Sequence, residues 1–432
     1  MSKRVAILTG GGDVPGLNMC IKGLVYRLIE ADFEPIGVRK GWLGLINYNY
    51  RNPTTYGEHF IELTKNMVRP IDRTPGSFLH SSRINPLKTP RWQVPDFLRK
   101  AGVETQDLTE HIQDVVQRLG LEALVVVGDD DMLRYAAYLS QRGVPIVAIP
   151  KTIHNNIYGT DYTIGFSTGL ARGVALIHDL RALAGSREQV IVVETFRVNS
   201  GLSSLMVAFL AGVDRAIIPE VPYDPDKLAR LVMRDKALNP SNYAVVTVSD
   251  GARIIPEKIM EYAPRLSPRS KSIELQLETA EKAREVHAED EVSLTGLVEP
   301  GTSMAGSGLV VAELLQRLTG EEVFMQSLTY LLRTGPPDGQ DLLGATNFAI
   351  LAARLVKEGT WGRMTAYQRR YNLTHVDLNI VTQGVNGVNV DEMYDIDNYR
   401  PKVNLIWATT EDRSTRGVSR IAGQTSQVSE NR

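Results

Sequence analysis

Three stretches of this chain put chemically competent side chains just beyond apolar runs. Pro150-Lys151-Thr152-Ile153-His154-Asn155-Asn156 follows the mostly β-branched segment Ile146 to Ile149. Pro150 ends that strand and polar residues crowd onto the loop after it, which in an open α/β sheet is the rim where ligands bind. A histidine there is able to act as a general base near neutral pH. The second stretch, Gly128-Asp129-Asp130-Asp131, closes an apolar run from Ala123 to Val127. Three successive acids are either a solvated strand end or a site for a divalent ion. The third, Thr9-Gly10-Gly11-Gly12-Asp13-Val14-Pro15-Gly16-Leu17-Asn18, follows a strand from Arg4 to Leu8 and precedes apolar residues at helical spacing, Ile21, Leu24, Val25 and Leu28. Such a turn brings backbone N–H groups and a helix N-terminus close to a phosphate, although the same glycines also make an ordinary tight turn. It carries neither the Walker Gly-Lys-Ser/Thr nor the dinucleotide-binding pattern.

The rest of the chain supplies the frame. Val190 to Glu194, Ala216 to Ile218 and Tyr243 to Ser249 read as further buried strands, each ending in polar residues. Val174 to Ala184 reads as a helix with an apolar stripe at Leu176, Ile177, Leu180 and Leu183, and Leu309 to Leu318 and Ala345 to Lys357 as two more. His178 lies on the first of these helices and reads as a packed or partly exposed residue, not a ligand. Strands alternating with helices predict an α/β protein. From Arg253 to Pro300 the composition turns charged and polar, with an exposed helix expected over Ile273 to His287; this is an inserted excursion, a solvated surface helix or a partner-binding element. Glu411 to Arg432 holds too few apolar residues to build a core and reads as a flexible tail.

Composition narrows the class. The chain has 432 residues, 43% hydrophobic and 23% charged, enough for two or three domains with a sizeable core. Its formal net charge of -2 gives no electrostatic case for nucleic acid or an anionic membrane as partner. A single cysteine, Cys20, excludes an intramolecular disulfide framework and any multi-cysteine zinc site, and suits a reducing compartment. No apolar run approaches the roughly 18 residues of a membrane helix, and the apolar start Val5 to Leu8 is too short for a signal peptide. A cytoplasmic protein is expected.

Pro150-Lys151-Thr152-Ile153 with Tyr158-Gly159-Thr160-Asp161-Tyr162-Thr163-Ile164-Gly165-Phe166 resembles the catalytic segment of the phosphofructokinases, and Gly11-Gly12-Asp13-Val14-Pro15-Gly16-Leu17-Asn18 resembles their opening motif. Gly41-Trp42-Leu43-Gly44-Leu45 and the loop Arg73 to Arg83 are similar to the next two family loops. The resemblance runs to about Trp407. It implies two Rossmann-like lobes with mainly parallel sheets around a central cleft: a phosphoryl-donor lobe of residues 1–165 with about 332–392, and a sugar-phosphate lobe of 166–331 with about 393–409. It implies Gly11, Gly12, Gly128 and Asp131 at the donor phosphates, Asp131 as in pyrophosphate users, and Asp130 as the magnesium-associated aspartate. Lys151, Thr152 and Arg83 become catalytic, with Arg83 holding the transferred phosphoryl group and His154 in place of the family's aspartate base. Arg197, Asn199, Asp250, Tyr330 and Arg333 fall at the sugar phosphate, with Tyr330 and Arg333 facing one phosphate ester. Mg²⁺ is the implied cofactor of an active form.

Departures from the family pattern cluster where the chemistry is. His154 and Asn156 replace two aspartates, Asp129 replaces a glycine beside the phosphate loop, Ser167 replaces an aspartate, Arg197-Val198 replaces a Gly-Arg pair, and Gln189 replaces an arginine that reaches a neighbouring subunit. A neutral amide cannot reproduce a guanidinium's bidentate grip. These changes favour a family member with impaired or absent catalysis: a regulatory or structural subunit, in a homo-oligomer or paired with a catalytic paralogue, that keeps a phosphorylated small-molecule ligand. The alternative is an active diphosphate- or ATP-dependent fructose 6-phosphate 1-phosphotransferase of glycolysis.

Overall fold

The computed structural model describes residues 3–195, 200–268, 270, 306–369 and 372–402. The expectations for Arg197, Asn199, the helix from Ile273 to His287, the end of the resemblance near Trp407 and the tail lie outside these residues.

Two larger sheets carry most of the described chain, beside two small two-stranded ones. In the larger, the order from edge to edge is Asn372–Asp377, Arg363–Gln368, Ile146–Pro150, Leu121–Gly128, Lys3–Thr9, Phe33–Val38 and Phe60–Glu62. The five inner strands run parallel and the two edge strands antiparallel to their neighbours. Continuous apolar sequence explains the parallel centre: Val5 to Leu8 and Ala123 to Val127 are fully buried, as strands covered on both faces must be. The smaller sheet, ordered Val323–Ser327, Val190–Thr195, Ala244–Ser249 and Arg215–Ile217, is parallel throughout.

Topology makes the site. From Lys3–Thr9 the chain passes to Phe33–Val38 on one side, then returns to Leu121–Gly128 on the other. That reversal opens a crevice at the carboxyl ends of the central strands. Register then aligns the loops, because Thr9 lies beside Val127, and Gly128 beside Pro150. The three stretches singled out for their chemistry therefore leave the sheet side by side.

Helices differ in extent from the sequence reading. The helix expected from Val174 spans Phe166–Arg187, with Ile177 buried but Leu176, Leu180 and Leu183 only partly so; His178 is exposed. The helix expected from Ala345 begins at Gly339, where the Asp338 side chain caps it by accepting from the Asp341 N–H. Gly41-Trp42-Leu43-Gly44-Leu45, expected as a loop, turns into a short helix, Trp42–Asn47. Gly41 adopts φ 58°, and a Cβ there would sit 2.5 Å from the Thr9 carbonyl, so glycine is what allows this segment against the end of the central strand.

Candidate active site

Gly10 to Gly12 fold over the end of the central strand, the Gly10 N–H donating to the Val127 carbonyl at 3.2 Å. Opposite them the helix Asp130–Gln141 begins, and Asp129 is its cap: the carboxylate accepts from the Met132 N–H, while Asp130 and Asp131 occupy the first turn. The acidic triplet is thus a helix N-terminus, where negative side chains offset the exposed N–H groups and the positive end of the dipole. Asp129 also faces the glycines. Its Oδ2 accepts from the Gly12 N–H at 3.3 Å, and a Cβ on Gly11 would lie only 1.9 Å from that oxygen. Gly128 packs against Met132 and passes its carbonyl to the Lys151 N–H at 2.9 Å.

Three cations close on the same loop. The Lys151 amine, buried at 1% exposure, donates to the Gly12 carbonyl at 2.6 Å. Burial pushes its pKa down to about 8, against the neighbouring charge of Asp129, which favours the ammonium form. Above Gly12 lie the guanidiniums of Arg333 and of the exposed Arg83, close enough that a Cβ on Gly12 would be 2.5 Å and 2.9 Å from them. A side chain on Gly12 would have to push these guanidiniums off the loop.

His154 stands on the next loop, 4% exposed. Its backbone N–H donates to the Thr152 hydroxyl at 3.1 Å, so Thr152 shapes the turn that carries the imidazole. Asn155 follows in a left-handed conformation, φ 51°, held by donation to the Asp161 carbonyl at 3.0 Å and by acceptance from the Thr163 hydroxyl at 3.3 Å. Arg333 Nη2 lies 3.1 Å from His154 Nε2. A guanidinium only donates, so Nε2 accepts and carries no proton in this arrangement.

Arg333 arrives from the smaller sheet. Strand Val323–Ser327 runs beside Val190–Thr195, Leu328 donates to the Glu194 carbonyl, and the turn Leu331–Arg333 then sends the arginine inward, where it also donates to the Asp13 carbonyl at 3.4 Å. Tyr330, on the same turn, is 60% exposed, whereas Arg333 is drawn inward by the Asp13 carbonyl and the His154 ring. Asp250 lies at the end of Ala244–Ser249, its N–H donating to the Thr195 carbonyl. Gln189 is buried within the chain, its N–H donating to the Ala184 carbonyl and its carbonyl accepting from the Ala244 N–H.

Comparison with known proteins gives this fold and site a family. The family model described as Phosphofructokinase matches residues 4–356. This chain belongs to the phosphofructokinase family. It is similar to a pyrophosphate–fructose 6-phosphate 1-phosphotransferase of Dictyoglomus thermophilum, 31% identical over 384 residues covering 88% of this chain and 94% of that protein. An ATP-dependent 6-phosphofructokinase 3 of Streptomyces coelicolor is 29% identical over 364 residues, covering 84% and 90%. In fold, the chain matches the pyrophosphate-dependent phosphofructokinase of Marinobacter aquaeolei with a TM-score of 0.68 at 15% identity, over 93% of this chain and 89% of that one.

Phosphofructokinase chemistry invites a magnesium test of these residues. Among the described residues no group of three or more His, Cys, Asp or Glu side chains is placed to hold a metal ion. A site for Mg²⁺ usually needs only one or two carboxylates, since substrate phosphates and water complete it. Asp130 fits that smaller requirement. One of its oxygens accepts from Arg134 Nε at 3.0 Å, and the other is buried without a hydrogen-bond partner. Burial raises its pKa to about 6, with Arg134 pulling the other way, so the group is charged at neutral pH.

Sequence reasoning passed over a pair of carboxylates that lock the site's loops. Asp341, fully buried, accepts from the Gly165 N–H at 2.6 Å, the Thr168 N–H at 2.9 Å, the Thr168 hydroxyl and the Tyr162 hydroxyl. Asp338 accepts from the Ser167 hydroxyl at 2.6 Å, and its N–H donates to the Thr168 hydroxyl. Two helix N-termini, those of Phe166–Arg187 and Gly339–Lys357, thus meet on these two acids. The signal was present as Asp338-x-x-Asp341 ahead of an apolar run, a capping pattern.

Proposed function

We propose that this protein is a fructose 6-phosphate 1-phosphotransferase, with inorganic diphosphate as the favoured phosphoryl donor. One observation carries the reading: Lys151, Arg83 and Arg333 converge at Gly12, beside a neutral His154 imidazole, at the switch-point crevice. Phosphoryl transfer needs positioned cations more than covalent chemistry. In this reading Lys151 and Arg83 hold the donor phosphates, and Arg333 turns from His154 to the incoming sugar phosphate. His154 Nε2 is then free to take the proton of the attacking hydroxyl. Asp130 would hold Mg²⁺ through its unpartnered oxygen, and the ion would supply charge neutralisation on the phosphates. Relatives named for diphosphate and for ATP as donors both support the reaction class.

A second reading, a non-catalytic subunit that binds phosphorylated ligands beside a catalytic paralogue, is favoured by the Asp129 carboxylate lodged against the glycine loop and by the neutral Asn156. One assay separates the two. The purified chain, Mg²⁺, fructose 6-phosphate and either diphosphate or ATP should yield fructose 1,6-bisphosphate above the level of a Lys151→Ala variant. Thermal stabilisation by the sugar phosphate without turnover supports the second reading instead.

A further inference from the structure

Asp129 holds a place that general chemistry assigns to a bound phosphate. Glycine-loop N–H groups, a helix N-terminus and a buried cation together form an anion site. Here the Gly12 N–H and the Met132 N–H at the start of Asp130–Gln141 both donate to the Asp129 carboxylate, and the Lys151 amine sits on the Gly12 carbonyl, within electrostatic reach of the same carboxylate. The carboxylate packs directly on the glycine loop, with Oδ2 just 1.9 Å from where a Gly11 Cβ would stand.

We propose that the Asp129 carboxylate is a resident anion in the donor-phosphate subsite, a specificity-determining group that an incoming diphosphate must displace. This deepens the phosphotransfer reading and rests on it for the identity of the ligand. Two features make the group displaceable. Its contacts to Gly12 and Met132 measure 3.3 Å and 3.4 Å, longer than the usual N–H···O distance of about 2.9–3.0 Å. The residue sits at φ -83° and ψ -176°, ordinary extended backbone that any residue adopts, so the side chain is not locked in place by strain. While the carboxylate stays, Lys151 is already compensated and a second anion gains less from it. Once the carboxylate swings away, the same N–H groups and ammonium are exposed to the ligand.

Isothermal titration of the full chain with inorganic diphosphate, at pH 7 and without divalent ions, tests this. Asp129→Gly should bind diphosphate at least about tenfold more tightly than the wild type, since a like charge a few ångströms away is removed. Asp129→Asn, which keeps the helix cap and most of the bulk, should fall between them. Unchanged or weaker binding in both variants overturns the proposal. Should Asp129→Gly fail to fold by circular dichroism, the asparagine variant decides alone, tighter binding supporting the proposal and unchanged binding overturning it. Turnover by the wild type with no gain in either variant upholds the phosphotransfer reading and overturns this one; a gain in affinity with no turnover in any chain does the reverse.

Discussion

Arg333 Nη2 and His154 Nε2 lie 3.1 Å apart, a contact that joins the acceptor-side imidazole to a residue carried in from the smaller sheet. Bound in this way, the imidazole lone pair is occupied until something with a stronger claim on the guanidinium arrives, and a phosphate ester is such a group. His154→Ala should then lower turnover by about 100-fold to 10,000-fold, the usual cost of removing a general base, with fructose 6-phosphate affinity within about threefold of wild type. Arg333→Ala should instead weaken sugar-phosphate binding by roughly tenfold to 100-fold, the worth of one hydrogen bond to a charged group. Steady-state kinetics and calorimetry on the two variants check the division. Full turnover by His154→Ala removes the imidazole from the mechanism.

Lys151 predicts how the site responds to pH. Its pKa is near 8 in the folded chain because burial disfavours the ammonium, against 10.5 for the ordinary side chain. Diphosphate affinity should fall as pH rises through about 8, and Lys151→Met should flatten that fall. Stability moves the other way. Between pH 8 and 10.5 the unfolded chain holds the proton that the folded chain has lost, so this group's contribution to unfolding free energy rises with pH across that window. Titrations at pH 6.5, 7.5, 8.5 and 9.5 test the binding arm, and an affinity that is flat or rises with pH contradicts the assignment.

Much of this arrangement was legible in the chain because parallel central strands are written as continuous apolar runs. Val5 to Leu8, Ala123 to Val127 and Ile146 to Ile149 announce themselves, and the loops after them fall at the crevice by register alone. Side-chain direction was not legible. Spacing placed Tyr330 and Arg333 on one turn, but only the folded chain shows that Arg333 runs to Asp13 and His154 while Tyr330 stays outside. Nor was the partnership of Asp341 with Gly165 and Thr168, because it joins residues more than 170 positions apart and leaves no periodicity.

Gly12 offers a test that leaves the fold in place. A methyl group there would meet only the far ends of Arg333 and Arg83, which are able to swing away. Gly12→Ala should therefore fold with a melting curve close to wild type but bind diphosphate roughly tenfold or more weakly, as two charged donors are pushed off the loop. Gly11→Ala is the contrast: at φ 78°, with the Asp129 carboxylate in the way, it should cost on the order of 1–2 kcal/mol of stability. Equal stability of the two variants in urea unfolding contradicts the geometry at position 11.

The deepest dependence of the site is on a residue that touches no substrate. Asp341 takes four donors from the segment immediately after the His154 loop: the hydroxyls of Tyr162 and Thr168 and the N–H groups of Gly165 and Thr168. Asp341→Ala strands two buried backbone donors, so stability should drop by on the order of 3 kcal/mol, since each unsatisfied buried group costs about 1–3 kcal/mol. Asp341→Asn should fall between, because an amide offers one acceptor oxygen and points a donor at groups that are themselves donors. Because the same segment continues into the loop that carries His154, the asparagine variant should lose turnover by a larger factor than it loses diphosphate affinity. A chain that keeps full turnover while losing stability would show that the two N-terminal helix ends brace the fold without positioning the imidazole.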